Sequence, residues 1–439
     1  MIPRWSTSSS GQPARRNYGL RHGKPEVGPL ALTAPRGRAL GLLVVVTVCS
    51  AYGAAGAVYG VEHLLDAIAR GPAALTVALP AAGLLVSTVV RSLGPTRSGP
   101  SSIDAYMDAY HGRHYEDRQY AARTVGAGAT VGLGGALDPV GLAVLLGTWF
   151  GSIGRRRLDS TGPSLLVVGA AAGFGAALHS PIAGGLLAVE IPFREGMSWR
   201  RLPVALLGST AGYLARSSID GFRLPWWTSV GVVGLRDVLL ALGLAVGAGI
   251  ASRAVSLLTR SAETGLGPVF SRERHHVVTA AALLVLLGVL ARIGFSGIPV
   301  HLGPGTISLT WAATASSAGL CALLALRAAA SGVTMLGRGV GGLIIPLLVL
   351  GSIAGQMLGR IFDGNLALLS VIGATTLLGA GYRVPLAALV WLAESTHSIP
   401  AVALGCVVVL ITQAVGGGRS VSTAQRIHPV PPGRPSTPS

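Results

Sequence analysis

Seven stretches of this chain, residues 39 to 60, 72 to 90, 164 to 191, 236 to 257, 277 to 292, 340 to 358 and 398 to 415, are mostly apolar and near or above bilayer-spanning length. A water-soluble fold of 439 residues needs more polar surface than a chain that is half apolar and only 12% charged can supply. The lipid bilayer must therefore act as solvent. The pattern predicts an all-α, multi-pass protein of the cell membrane. The 63 glycines point to helices that approach closely through small residues or are broken inside the membrane.

A formal charge of +17 invites a nucleic-acid reading, but the basic residues sit between apolar segments and in the tails, where they set membrane topology. Residues 1 to 39 hold seven Lys or Arg against one acid, Glu26, so residues 1–38 read as a disordered cytoplasmic tail. Residues 426–439, basic and proline-rich, read as a second such tail. Both termini are expected in the cytoplasm, with an even number of crossings and with Arg194, Arg200 and Arg201 marking a cytoplasmic loop. No cleavable signal peptide and no soluble regulatory domain are expected. Cys49, Cys321 and Cys406 lack metal or redox spacing and are expected as small core residues. No nucleotide loop, metal-ligand cluster or catalytic triad stands in the sequence, so neither an enzyme nor a cofactor is expected.

The chain contains an internal echo. Leu178-His-Ser-Pro-Ile-Ala-Gly-Gly-Leu-Leu-Ala-Val-Glu190 is matched by Tyr382-Arg-Val-Pro-Leu-Ala-Ala-Leu-Val-Trp-Leu-Ala-Glu394, at an offset of 385 − 181 = 204. The same offset pairs Gly147 with Gly351 and Gly151 with Gly355. Such a repeat predicts two related halves, 39–217 and 218–425, which in many transporters run antiparallel and hold the substrate site between them. Glycine periodicity from helix packing alone is the competing reading.

Two glycine runs, Gly132 to Gly141 and Gly337 to Pro346, each precede an apolar helix. The first N–H groups of a helix have no intrahelical partner and the macrodipole adds about half a positive charge, so such starts can hold an anion without a full cation. Ser98, beside Gly99 in Arg97-Ser-Gly-Pro100, can add a hydroxyl. Turn and packing roles explain these residues equally well from spacing alone.

Residues 169 to 190, Gly-Ala-Ala-Ala-Gly-Phe-Gly-Ala-Ala-Leu-His-Ser-Pro-Ile-Ala-Gly-Gly-Leu-Leu-Ala-Val-Glu, closely resemble a segment of the CLC family of chloride channels and transporters. Gly341-Gly-Leu-Ile-Ile-Pro346 resembles that family's Gly-Gly-x-Phe-x-Pro motif, and Tyr382-Arg-Val-Pro385 with Glu394 its later Arg-x-Pro helix. The resemblance runs from about residue 40 to 425. It implies about seventeen or eighteen tilted and partly re-entrant helices in two inverted halves, and a homodimer with one anion pathway per subunit. It also places Ser98 on the anion-coordinating serine, Val140 and Gly141 on the first helix start, and Leu343 and Ile344 on the backbone donors of the second.

Three departures from the family pattern shape the expected mechanism. Val140 stands at the gating glutamate, Ile191 at the internal proton glutamate, and Ser422 at the anion-coordinating tyrosine. Valine neither titrates nor mimics an anion, so the chain is expected to be a passive chloride channel, open also to other monovalent anions and nearly independent of pH. Asp138, two residues before Val140, is either a displaced gate or a helix cap. His179 reads as a structural residue, Glu190 and Glu394 as structural groups or pathway modulators, and Arg383 as the partner of a helix end or carboxylate. A proton-coupled exchanger using Asp138 or His179, and an anion-binding member that does not conduct, are the alternatives. Fluoride export fits less well, because the resemblance to that branch implies a retained gating glutamate and an altered serine.

Overall fold

The computed structural model describes residues 36–92, 102–157, 164–222, 229–264 and 270–429. The expected N-terminal tail up to residue 35 lies outside the described residues, as does the loop 93–101. Sixteen α-helices form among the described residues. The first half holds α1 (Arg36–Arg70), α2 (Ala73–Ser92), α3 (Ser102–Tyr110), α4 (Asp117–Gly132), α5 (Val140–Arg157), α6 (Ser164–Leu178), α7 (Pro181–Glu190) and α8 (Leu202–Asp220). The second holds α9 (Leu235–Thr264), α10 (Phe270–Gly294), α11 (Thr306–Ala312), α12 (Ser317–Leu336), α13 (Ile344–Ile361), α14 (Leu366–Gly381), α15 (Pro385–Thr396) and α16 (Ile399–Gly416). Among the described residues, seven helices are long and apolar enough to cross a membrane.

Local chemistry sets the breaks. The apolar run 164 to 191, read from the sequence as one stretch, is divided at His179 and Ser180. His179 adopts a left-handed φ of 52°, Ser180 is extended, and Pro181 opens α7. Proline suits that first position because its missing N–H would have no intrahelical partner there. Arg383 repeats the feature 204 residues later with φ 54°, two residues ahead of Pro385. The last helix before the expected division, α8, ends at Asp220, where Gly221 at φ 87° stops it. The expected C-terminal tail also starts later than residue 426. Arg194 and Glu195 donate to the carbonyls of Arg426 and Ile427 at 2.8 and 2.9 Å, and Arg426 donates back to Pro192 at 3.1 Å.

The repeat is physical. An added Cβ at Gly147 would run into the carbonyl of Gly169, and one at Gly351 into that of Gly373. Gly151 lies in the same way against Leu165, and Gly355 against Leu369. All four contacts repeat at 204 residues and bring α5 onto α6, and α13 onto α14, at backbone distance. Lipid gives little hydrophobic drive for helix association, so this close backbone approach supplies much of the packing attraction.

The outer faces carry apolar side chains such as Leu40, Val89, Leu239, Leu286 and Leu410. Cys49, Cys321 and Cys406 are exposed, contrary to the core placement read from the sequence. A membrane helix is apolar on its lipid face and on its buried face alike, so composition does not tell the two apart.

Replacing Gly151 or Gly355 with alanine is expected to destabilise the detergent-purified protein by about 1–3 kcal/mol, the usual cost of overpacking. Gly243→Ala on α9, where nothing lies within 4 Å, should leave the thermal midpoint unchanged or slightly raised.

Candidate functional site

The loops that lead into α5 and α13 are paired with one another. The Thr334 hydroxyl accepts from the Ala136 N–H at 3.3 Å, and the Thr130 hydroxyl accepts from the Val340 N–H at 3.2 Å. Those two bonds are the same bond at an offset of 204. At the centre, Asp138 N–H donates to the Gly342 carbonyl at 3.0 Å and Gly342 N–H donates to the Asp138 carbonyl at 3.3 Å. Residue 138 thus pairs with residue 342, its own counterpart, and the two helix starts face each other across a local two-fold axis.

One side chain breaks the symmetry. The Asp138 carboxylate is fully buried and accepts from the Gly141 N–H at 3.1 Å, in the first turn of α5, and from the Ile345 N–H at 2.8 Å, in the first turn of α13. The amides of Val140 and Ile344 also bear on it. Its counterpart Gly342 has to be glycine, because a Cβ there would strike Asp138 Oδ1. The positive ends of two helices therefore meet on one carboxylate.

A third helix start reaches the same place. Ser102, the first residue of α3, donates its N–H to the Gly341 carbonyl at 3.2 Å. A Cβ on Gly141 would lie 2.7 Å from the Gly342 nitrogen and 3.0 Å from the Ser102 Cβ. Farther out, the buried Arg327 guanidinium donates to the carbonyls of Val300, His301, Leu302 and Gly303, at distances from 2.8 to 3.4 Å. Gly303 N–H in turn donates to Gly134 at 3.0 Å, which anchors the loop ahead of α5. Among the described residues no group of three or more His, Cys, Asp or Glu side chains is arranged to hold a metal.

The residues singled out from sequence fall as follows. Val140, Gly141 and Ile344 lie at the junction, while Leu343 caps α13 and its carbonyl accepts from Leu347 at 3.0 Å. The α13 amide that donates to Asp138 at 2.8 Å is that of Ile345, one residue beyond the expected pair Leu343 and Ile344. Ser98 and Gly99 lie outside the described residues. The Ser422 hydroxyl donates to Asp104 Oδ1 at 2.6 Å, in the first turn of α3. Ile191 is buried, and its carbonyl accepts from Gln425 Nε2 at 2.7 Å. His179 Nε2 stands 3.7 Å from Asp220. Arg383 donates to the Arg194 carbonyl and to that of Gly417, just beyond the end of α16.

Glu190 and Glu394 act as exchanged caps. Glu190 accepts from Leu386 and Ala387 at 3.0 and 2.8 Å, and Glu394 accepts from Ile182 and Ala183 at 2.9 and 3.0 Å. Each acid, late in its own helix, caps the start of the other, so α7 and α15 lie side by side and antiparallel. Thr130, Thr334, Asp104 and Arg327 were not singled out from sequence. The 204 offset would have found the threonine pair, whereas nothing local marks Asp104 or Arg327 as site neighbours.

Two helix starts, related by the internal repeat, converge on one buried carboxylate in a polytopic, all-helical chain. The sequence signature described as voltage gated chloride channel matches residues 82–417. The chain belongs to that family, the CLC channels and transporters. An uncharacterized protein of Methanocaldococcus jannaschii is 25% identical over 265 residues, a match spanning 59% of this chain and 65% of that protein. A solved CLC-type fluoride/proton antiporter superposes with a TM-score of 0.76 at 18% identity, over 89% of this chain and 98% of that one. A slow cyanobacterial Cl-/H+ antiporter follows at TM-score 0.73 and 20% identity, over 88% of this chain and 97% of the other. A eukaryotic CLC transporter gives TM-score 0.67 at 18% identity, over 88% of this chain and 72% of that one. These structures establish the shared fold.

Glu394→Ala leaves the Ile182 amide and the part-buried Ala183 amide at the start of α7 without an acceptor and is expected to cost about 1–3 kcal/mol. Glu394→Gln, which keeps one carbonyl acceptor, should lose less, and the difference is read as the gap between the two thermal midpoints.

Proposed function

We propose that this chain conducts chloride, and with it other monovalent anions, through the junction of α5 and α13, and that Asp138 occupies the anion position until it binds a proton. The observation that carries this reading is the Asp138 carboxylate, which takes amide hydrogens from both helix starts. Ionised, it satisfies the same donors a permeating anion would use. Protonated, it loses its charge and becomes a weaker acceptor, and a halide can take its place. The expectation of pH-independent flow rested on a junction without a titrating acid; with Asp138 seated there, the expectation becomes flow that rises as pH falls.

Flow of this kind is downhill and uncoupled. Val140 carries no proton, and the position of the family's internal glutamate is the buried Ile191. A homodimer with one pathway per subunit and both termini in the cytoplasm belongs to the same reading. Asp138 also favours a second reading, a proton-coupled chloride exchanger, since a carboxylate that competes with the anion is the first half of such a device. Proton movement separates the two.

Liposomes carrying the protein should release chloride faster as pH is lowered from about 8 to about 4, the range through which carboxylates with perturbed titration lose their charge. Asp138→Asn should conduct at every pH in that range. Chloride release by the unaltered protein that ignores pH would remove Asp138 from the mechanism. Proton uptake in fixed ratio to chloride would favour the exchanger.

A further inference from the structure

The loop that carries Asp138 is held by α12, a helix of the other half. Ser331 donates its hydroxyl to the Ala136 carbonyl at 2.9 Å. Thr334, one turn on, accepts from the Ala136 N–H at 3.3 Å and donates to the Ala330 carbonyl at 2.7 Å. Both side chains are buried, as is Ala136. One residue, two positions before the carboxylate, is thus gripped at both of its backbone polar groups. The opposite loop is held less fully. At the offset of 204, Thr334 answers to Thr130, which accepts from the Val340 N–H, but Ser331 answers to Ala127, which has no hydroxyl to offer the Val340 carbonyl. The extra anchor therefore serves the loop that bears the acid, where Asp138 and Gly342 also depart from the repeat.

We infer that Ser331 and Thr334 are positioning residues for Asp138, which seat its carboxylate between the starts of α5 and α13 from the opposite half of the chain. This inference rests on the Asp138 reading and names the groups that set how firmly the carboxylate is held. Hydrogen bonds are directional, and the hold of the Gly141 and Ile345 amides, 3.1 and 2.8 Å from the carboxylate oxygens, weakens steeply as alignment is lost. The charged side chains on the elements packed around the junction are engaged elsewhere. Arg327 on α12 donates to the carbonyls of Val300 to Gly303, Arg123 on α4 lies over the Tyr115 ring, Asp104 on α3 takes the Ser422 hydroxyl, and the loop at Arg338 is held through its carbonyl by Arg91. The uncharged amides of Val140, Gly141, Ile344 and Ile345 are what bear on Asp138, so its seat depends on backbone alignment. Loosening the anchor at residue 136 weakens the grip on the ionised carboxylate, and a lower proton concentration then releases it.

The test is chloride efflux from liposomes at stepped pH, with the thermal midpoint of each variant measured beside it. Ser331→Ala and Thr334→Val are each expected to move the pH of half-maximal release upward by about one unit, about tenfold less proton, the scale of one lost hydrogen bond. Thr334→Ser, which keeps the hydroxyl, should retain the parent profile. In an Asp138→Asn background the same two substitutions should introduce no pH dependence, since no carboxylate remains to be seated. A merely structural role would lower the thermal midpoint without moving the pH of half-maximal release. Should Ser331→Ala or Thr334→Val fail to fold, Ser331→Cys, whose thiol is a weaker donor, should shift the profile in the same direction by less. A parental pH profile in the folded variants would overturn the role of α12. Chloride release by the unaltered protein that is absent, or that ignores pH, would instead overturn the proposed function.

Discussion

The starts of α5 and α13 share one carboxylate, and the centre of the molecule is arranged around that sharing. Two helix N-termini brought face to face repel each other and leave several amides without acceptors. Asp138 answers both problems, because its oxygens accept from Gly141 on one helix and Ile345 on the other. The loops, the flanking threonines and the glycine at 342 hold that carboxylate between the two ends.

The repeat accounts for most of the remaining architecture. Gly147 and Gly351 let helices meet backbone to backbone, Thr130 and Thr334 each accept an amide hydrogen from the opposite half, and Glu190 and Glu394 cap each other's helices, all at 204 residues. Symmetry of this kind doubles each favourable contact and places the axis at the junction of α5 and α13. It is broken at 138 and 342, where one half supplies an acid and the other supplies space for it. A symmetric pair of acids would place two charges where the two helix ends offer about one unit between them.

Much of the fold could be read in advance, because bilayer length, glycine content and a repeated Pro-to-Glu spacing are local properties of the chain. The glycine runs before two apolar helices are visible in sequence too, but it was the family resemblance that singled out Gly141 and Ile344 within them. Asp138 was visible only as two alternatives, cap or gate, and the structure makes it the cap of two helices at once. Ser422 was assigned to the anion by position, but its hydroxyl is engaged by Asp104, on a helix more than three hundred residues earlier in the chain. The three cysteines show the same limit, since lipid-facing and buried positions are equally apolar.

The linear order of residues was enough to establish a membrane solvent, two related halves and helix starts rich in glycine, because each follows from hydrophobic length or from residues near one another in the chain. Which groups face the shared junction was settled only by three-dimensional packing. The reach of an aspartate is a few ångströms, and whether residue 138 can touch residue 345 depends on how two loops about two hundred residues apart are clasped together, a distance no local pattern encodes.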